Sequence, residues 1–475
     1  MHSLDVIHEY VQTVCQQIRW KKAHSLIAEE MRNHITDGRD AYIKQGHDEI
    51  TATQQSITDC GDALLIGTQL DRIHRPKPQW GMMLWVVGFV LLGIVLGRVL
   101  FPGMDFSYGG LLIEMAWLVI GAVFMCAAYF ADFSMLAKYP WRIFITVSLL
   151  AMAVFFYVTR HGDWVRVPYM GVITFRYITL LFPVLLVPAI YAGKNKGCFG
   201  LITAMLAYGF LCLVAVAAPP SGVSGFAHFM PVGLGLLVFA AARGWFGVSK
   251  GRGVLVLVVV LLHVAGFALW LGANIQSSGS RIFHRIVTSF NPGLEPYTRG
   301  FEPLQIRRLL SNATLLGEGT PDYSYDWFWP MRDMPQTLYE EYLLAAVTFR
   351  FGWLAFAAVM FVIVFFIVQI AIRCSKQKSG LGFMVSIAVV MTFAMQVLTF
   401  TISNMGFGIV RTSLPLISSG SAALVANMAL LGFMLSVFRT GDAVADKYID
   451  PSAKRKSPFT WQDGKLTIDF KLSAK

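Results

Sequence analysis

Charged residues are scarce in this chain of 475 residues, since only 14% are Asp, Glu, Lys or Arg and 56% are hydrophobic. A soluble protein typically has about a quarter of its residues charged. The mean hydropathy of +0.58 is also far above that of a chain whose surface is covered by water. The composition therefore excludes a soluble globular protein and predicts that lipid solvates most of the chain.

Cysteine and histidine are also sparse, and their placement excludes two further classes. None of the six cysteines falls in the polar stretch 273–342, so no disulfide framework is indicated. In the apolar part His228, His263 and His284 stand apart, without metal-ligand spacing, and are predicted to be ordinary hydrogen-bonded side chains. The N-terminal segment lacks the features of a cleavable signal peptide, so the first apolar run is predicted to be an uncleaved anchor.

The net charge of +11 comes from Lys and Arg residues in short clusters between apolar runs. Such clusters act as topology signals and contact anionic lipid headgroups. No basic stripe or known nucleic-acid-binding module accompanies them, so we predict the membrane, and no nucleic acid, as the partner of this charge.

Ten apolar runs are long enough, at about 20 residues each, to cross a bilayer. The sequence therefore predicts an all-α fold, a polytopic membrane bundle of about ten transmembrane helices at 79–440. A small soluble helical domain at 1–78 precedes it, in which apolar residues at helical spacing predict two or three short amphipathic helices, and a tail follows at 441–475. The runs are 81–101, 110–131, 142–158, 173–192, 199–218, 228–243, 253–272, 343–371, 382–403 and 413–438.

The positive-inside rule gives the predicted orientation. If the N-terminus is inside, the inner connections hold most of the bases and the outer connections hold few. Both termini are therefore predicted to lie on the inner side of the cytoplasmic membrane, and the long loop 273–342 on the outer side. The inner bases are Lys138, Arg142, Lys194, Lys196, Arg243, Lys250, Arg252, Arg373, Lys376 and Lys378.

The outer loop 273–342 is too long to be a simple connection, and loops of this length are usually functional. It mixes Arg with Asp, Glu, Trp and Tyr, which predicts an anionic, partly apolar ligand. Arg307 and Arg308 lie on a predicted loop helix, where adjacent side chains point about 100° apart, so at most one is expected to face a given ligand. In the fourth run Arg176 needs a partner or a lipid headgroup, because a guanidinium buried in lipid is costly.

Three segments carry patterns of known families. The segment 285–319, RIVTSFNPGLEPYTRGFEPLQIRRLLSNATLLGEG, and the segment 396–439, which contains LPLISSGS, resemble the SEDS family of shape, elongation, division and sporulation proteins. That family ends in P-L-P-F-I-S-Y-G-G-S and has ten spans with one large outer loop between the seventh and eighth. The N-terminal domain is similar to the permease prefix domain of Gram-positive membrane proteins. Residues that match the family's ending are Leu414, Pro415, Ile417, Ser418 and Gly420.

The SEDS resemblance implies a peptidoglycan glycosyltransferase that polymerises lipid II at the outer face of the cytoplasmic membrane, in cell shape, division or sporulation. It also implies a partner, a class B penicillin-binding protein that cross-links the strands. Transfer of the sugar needs a carboxylate to accept a proton, and cationic groups to offset charge on the departing pyrophosphate. The resemblance implies no certain cofactor, but leaves open a divalent cation, Mg²⁺ or Mn²⁺.

The same resemblance implies site residues. With Gly352 as the fixed point, the family's catalytic Asp falls on Glu341, and Glu340 and Asp333 are its competitors. Arginine suits the pyrophosphate because its planar fork donates two hydrogen bonds at once. The predicted substrate-binding residues are Arg285, Arg307, Arg308, Arg411 and Ser418.

Two departures from the family keep other functions open. FRYIT (175–179) stands where the family often carries Q-P-S-E, and APPSGVSG (218–225) corresponds only loosely to Q-P-D-hydrophobic-G-T. One alternative is a non-catalytic SEDS-like protein that binds or flips a lipid-linked substrate, or serves as scaffold for a transpeptidase. Another is a membrane sensor or regulator whose N-terminal domain docks a cytoplasmic protein.

Overall fold

The structure is a computed structural model, and it describes a large part of the chain. The described residues are 3–74, 76, 78–100, 110–161, 164–167, 171–217, 222–247, 258–259, 261–262, 265–266, 287–298, 300–320, 341–377, 379–408, 410–418, 421–440, 459–462 and 465–468.

The N-terminal segment 3–74 folds into four helices, where the sequence predicted two or three. Their apolar faces form two small clusters, one around Ile7, Val11 and Ile35 and the other around Val14 and Ile27. These clusters contain residues of the segment itself, so its helices pack on each other. The helices are α1 (Ser3–Gln16), α2 (His24–Lys44), α3 (Glu49–Cys60) and α4 (Ala63–His74).

Eight helical stretches among the described residues are long and apolar enough to cross a membrane, and a shorter apolar stretch lies in α6. A 3-10 turn, Thr179–Leu181, joins α9 to α10 into one of these stretches. The chain is thus an all-α, multi-pass membrane protein. The helices are α5 (Trp80–Leu100), α6 (Gly110–Phe130), α7 (Met135–Lys138), α8 (Pro140–His161), α9 (Phe175–Ile178), α10 (Phe182–Ala192), α11 (Gly197–Ala217), α12 (Gly222–Ala242), α13 (Phe301–Ser311), α14 (Leu343–Phe351), α15 (Trp353–Ser375), α16 (Gly380–Asn404) and α17 (Ser421–Thr440).

Two short hairpins accompany the helices in the described part of the chain. β1 (Trp164–Val167) pairs antiparallel with β2 (Gly171–Thr174), directly before α9. β3 (Phe459–Gln462) pairs antiparallel with β4 (Lys465–Ile468) in the C-terminal tail. The first hairpin matters for the site, because it ends directly before α9, the helix that carries Arg176.

Nine of the ten predicted spans overlap apolar helices, and most of the remaining one, the seventh run 253–272, lies outside the described residues. One prediction was wrong: the run 343–371 is not one helix but two, α14 and α15. The break falls at Gly352, whose φ of +91° favours glycine. A Cβ there would also lie 2.6 Å from the carbonyl oxygen of Leu315.

The segment 312–320 is called the outer strap after the predicted outer loop 273–342, to which it belongs, and it holds the broken ends of α14 and α15. The amides of Gly317 and Gly319 donate to the last carbonyl groups of α14, at 3.1 and 2.7 Å. The carbonyl groups of Thr314 and Leu315 accept from the first amides of α15, both at 3.1 Å. Because helix ends leave such groups without partners, the strap stabilises a break that hydropathy does not reveal.

Polar contacts lock the centre of the bundle. Gln396 of α16 and Asn427 of α17 are both fully buried and exchange two amide hydrogen bonds, at 2.9 and 3.2 Å. Paired amides of this kind hold transmembrane helices together, because lipid offers no alternative partner. They fix α17 against α16, the helix that ends beside the site described next.

Candidate functional site

Glu341 lies two residues before the start of α14 and is 7% exposed. Its Oε1 accepts a hydrogen bond from an Nη2–H of Arg176 at 2.9 Å. Its Oε2 lies 3.6 Å from Nε of Arg411 and accepts no hydrogen bond in the structure. The carboxylate is therefore oriented through one oxygen, while the other faces a cation and keeps its capacity to accept a proton or a hydrogen bond.

Arg176 reaches Glu341 from the beginning of α9, directly after the β1–β2 hairpin. The side chains of the pair are 13% and 8% exposed, and the guanidinium also stacks on the ring of Tyr177 at 4.8 Å. The prediction that Arg176 needs a partner is confirmed, and that partner is a carboxylate of the protein. Because the pair is buried, separating the two charges would leave each of them without compensation and would destabilise the protein.

Asn404, the last residue of α16, fixes the main chain that follows this carboxylate. Its Nδ2 donates to the carbonyl oxygens of Glu341 at 3.1 Å and Phe400 at 2.8 Å, and its Oδ1 accepts from the amide of Ala345 at 3.0 Å. The side chain is fully buried. Asn404 thus ties the start of α14 to the end of α16 and sets where Glu341 stands.

Arg411 joins Glu341 to a second carboxylate, that of Glu302 on α13. Its Nη2 donates to Oε1 of Glu302 at 2.6 Å, and the hydroxyl of Tyr342 donates to Oε2 at 3.2 Å. The partial burial of Arg411 alone would lower its pKa, but Glu341 and Glu302 outweigh this effect and the pKa is raised. Burial, followed by the charges of the same two carboxylates, raises the pKa of Tyr342. Arg411 therefore stays cationic and Tyr342 stays a neutral donor.

The main chain at Arg411 is held by α12. Its amide donates to Oγ of Ser224 at 3.2 Å, and the Ser224 carbonyl oxygen lies 2.6 Å from Nδ1 of His228. The other ring nitrogen of His228 lies 2.9 Å from the hydroxyl of Thr399. His228 is thus the ordinary hydrogen-bonded side chain that the sequence predicted, whereas His263 and His284 lie outside the described residues.

Arg307 makes contacts that favour a structural role over substrate binding. All three of its guanidinium nitrogens donate to main-chain carbonyl groups, those of Ser289, Phe290 and Gly406, at 2.5 to 3.1 Å. The side chain thereby joins α13 to the short helical stretch 287–290 and to the turn after α16. Arg308 follows on the same helix and is half-buried. Substrate binding by either arginine stays a prediction.

Ser418 closes a buried turn that begins three residues after Arg411. Its Oγ accepts from the amide of Leu414 at 2.7 Å and lies 3.2 Å from the Leu414 carbonyl oxygen, to which it can donate. The turn includes Leu416, which has a φ of +65°. These contacts assign Ser418 to the shape of the turn, and contact with substrate stays a prediction.

A shallow apolar cleft lies beside this turn. Pro415 is four residues from Arg411, so their Cα atoms are at most about 14 Å apart. The cleft therefore begins close to the charged site. Its lining residues are Phe89, Ile363, Phe366, Ile367, Phe393, Val397, Pro415 and Leu416.

Of the predicted site residues, the structure brings Glu341 and Arg411 together. Glu340, Asp333 and Arg285 lie outside the described residues. Sequence reasoning did not assign Glu302, Tyr342 or Asn404 to the site. Only Asn404 carried a usable signal, because it is a polar residue at the end of an apolar run.

A divalent cation does not fit these residues. Both carboxylates, Glu341 and Glu302, already face guanidinium groups, whereas Mg²⁺ and Mn²⁺ prefer oxygen ligands without a competing cation. Among the described residues no three His, Cys, Asp or Glu side chains cluster as metal ligands. No step proposed below uses a metal, and a requirement for one stays a prediction.

No family model and no curated protein sequence matches the chain. Its fold is similar to that of a chain in a solved structure of a peptidoglycan synthase complex, which is described as coordinating polymerization and crosslinking. The TM-score is 0.57 at 16% identity, over 78% of this chain and 99% of that one. Two structures of the rod shape determining protein RodA of Thermus thermophilus, one of a single-site variant, align with a TM-score of 0.49 at 13% and 14% identity, over 77% of this chain and 98% of each. The first likeness establishes the fold of this chain.

Proposed function

We propose that this chain is a SEDS-type peptidoglycan glycosyltransferase that polymerises lipid II. The observation that carries the proposal is the buried carboxylate of Glu341, oriented through Oε1 by Arg176 and left without a hydrogen bond at Oε2. A general base needs such a positioned oxygen. The fold shared with a chain of a peptidoglycan synthase complex and the sequence patterns at 285–319 and 396–439 support it.

In the proposed reaction, Oε2 of Glu341 accepts the proton of the attacking sugar hydroxyl. The hydroxyl oxygen forms a bond to the anomeric carbon of the donor sugar, and the bond from that carbon to the lipid pyrophosphate breaks. Electron density thus moves onto the pyrophosphate as it leaves, and the proton stays on Glu341 until solvent removes it. The step is balanced without any metal or redox partner.

The guanidinium groups beside Glu341 have separate tasks in this proposal. Arg411 is 44% exposed at its side chain, so it can approach the departing pyrophosphate and offset its charge. Arg176 is 13% exposed and stays with Oε1, where it holds the base in place. The apolar cleft near Pro415 offers a surface for the polyprenyl tail.

The same proposal gives the setting of the protein. The basic inner connections support a cytoplasmic membrane location with both termini inside and the site at the outer face. A class B penicillin-binding protein is the proposed partner, because polymerised strands need a cross-linking enzyme and the similar chain comes from a complex of both activities.

The test is polymerisation of purified lipid II by the full-length protein reconstituted in liposomes. We expect Glu341→Gln to lower the rate by at least about 100-fold, the usual contribution of a general base. Glu318→Gln is the matched control, because Glu318 lies in the outer strap and pairs with Arg350 outside the site. It should keep the wild-type rate.

Two outcomes would count against the proposal. A wild-type rate in the Glu341→Gln variant would remove the catalytic assignment. Binding of lipid II without polymerisation, by wild-type protein with a purified partner transpeptidase present, would favour the non-catalytic alternative. Size-exclusion profiles of each variant separate lost activity from lost folding.

A further inference from the structure

Among the residues that the structure describes at the site, the charges are balanced before any substrate arrives. Two guanidinium groups, Arg176 and Arg411, face two carboxylates, Glu341 and Glu302. A pyrophosphate would add at least two negative charges to this arrangement. Because like charges at such distances repel strongly in a partly dry site, one carboxylate must leave Arg411 when an anionic ligand binds there.

Glu302 is the carboxylate that can leave. Its side chain is 23% exposed, compared with 8% for Glu341. Glu341 is also held by Arg176, and its main chain by Asn404, whereas both described hydrogen bonds of the Glu302 side chain, from Arg411 and Tyr342, involve groups at the site itself.

We propose that Glu302 occupies Arg411 in place of the substrate's phosphate and thereby sets the affinity of the site for anionic headgroups. This inference rests on the proposed function. A carboxylate and a phosphate both accept two hydrogen bonds from one guanidinium, so they compete for the same donors. When Glu302 turns away, it releases an Nη2–H of Arg411 and the hydroxyl of Tyr342 together. Those two donors then face the ligand from two sides.

The outer arginines with known contacts do not compete for this role. Arg307 is held by three main-chain carbonyl groups, and no carboxylate has to leave before it can act. Arg350 pairs with Glu318 in the exposed strap region. Within the described part of the chain, the exchange of a carboxylate for a phosphate therefore falls on Arg411.

The test measures binding of undecaprenyl pyrophosphate to the full-length protein in nanodiscs. Glu302→Gln keeps the size of the side chain and an oxygen for Tyr342 but removes the competing charge. We expect it to lower the Kd by about tenfold, the usual worth of a hydrogen bond to a charged group. Glu295→Gln is the control, because Glu295 accepts from Thr298 and lies on the same loop away from Arg411.

Ligand arms of the experiment identify what is recognised. Undecaprenyl monophosphate should gain affinity in the Glu302→Gln variant, but less than the pyrophosphate, and neutral undecaprenol should gain none. Inorganic pyrophosphate should compete with the lipid if the site recognises the phosphate groups alone, and it should fail to compete if the tail is also required. In both cases the affinity gained in the Glu302→Gln variant should depend on the charge of the ligand. Equal gains for undecaprenol would overturn the inference.

The failure of the inference differs from the failure of the proposed function. If undecaprenyl pyrophosphate binds wild-type protein and Arg411→Gln weakens binding, but Glu302→Gln leaves the Kd unchanged or raises it, only the role of Glu302 is wrong. If no variant binds the lipid pyrophosphate at all, the proposed function fails and the inference fails with it.

Discussion

Removing one partner of the Arg176–Glu341 pair should lower the free energy of unfolding much more than removing both partners. Both side chains are largely buried, at 13% and 8% exposure, and their atoms are 2.9 Å apart. Removing one partner of a buried pair costs about 3–5 kcal/mol, because the remaining charge is left without compensation. Arg411 stands 3.6 Å from the same carboxylate, so Arg176→Gln is expected at the lower end, about 3 kcal/mol.

The double variant Arg176→Gln/Glu341→Gln should behave differently. It removes both charges at once, so neither a guanidinium nor a carboxylate is left buried without its partner, which is the main cost of either single change. We expect the free energy of unfolding to return to within about 1 kcal/mol of the wild type. With a loss of at least about 3 kcal/mol in each single variant, the coupling energy is then about 5 kcal/mol or more. The polymerisation activity should stay lost, because no base remains.

The assay is reversible unfolding in mixed micelles, in which increasing amounts of denaturing detergent are added and tryptophan fluorescence is followed. All four proteins of the cycle are measured at one temperature and one lipid composition. Additive losses, with the double variant less stable than either single one, would refute the buried-pair reasoning. So would a loss below about 0.5 kcal/mol for both single variants, which is typical of an exposed pair.

Three further predictions concern other parts of the fold. Asn404→Ala and Asn427→Ala both delete a buried amide from the bundle and should each lower stability by about 2–4 kcal/mol. When kcat is measured at a temperature well below unfolding, only Asn404→Ala should lower it. Equal kcat values in the two variants would contradict a positioning role of Asn404. Gly93→Ala places a Cβ 2.1 Å from the carbonyl oxygen of Ile417, so we expect a loss of thermal stability of several degrees, with no loss refuting that close approach. Burial raises the pKa of Cys60 to about 11, so at pH 8 its reactive thiolate is about 100-fold rarer than that of a thiol with a pKa of 9. Alkylation by iodoacetamide, followed by mass spectrometry, should therefore be slow, and its rate should rise about tenfold per pH unit up to pH 10. A fast reaction at pH 8 would contradict the burial of Cys60.

Hydropathy predicted the membrane helices well, because exposing polar side chains to lipid is costly and each membrane helix therefore has a long run of apolar residues. It failed at Gly352, since both α14 and α15 are apolar and only the contact with the outer strap reveals the break. Arg176 was singled out by its cost in lipid, but its partner Glu341 is 165 residues away, a separation across which no local pattern acts.

The assignment of arginines to the site shows a second limit of sequence. Arg307 and Arg411 look alike as cations in polar segments, and their tasks differ only through neighbours brought by folding. Arg307 meets three carbonyl groups, whereas Arg411 meets Glu341 and Glu302. A count of charges in the connections between apolar runs cannot separate these two environments, because both need the same residue type.

The wide separation of Arg176 from Glu341 also constrains how the protein is made. Synthesis proceeds at about 5–20 residues per second, so the 165 intervening residues take roughly 8 to 33 s. During that interval Arg176 has been translated but its partner Glu341 has not. The buried ion pair can therefore form only late in synthesis, once the start of α14 has emerged.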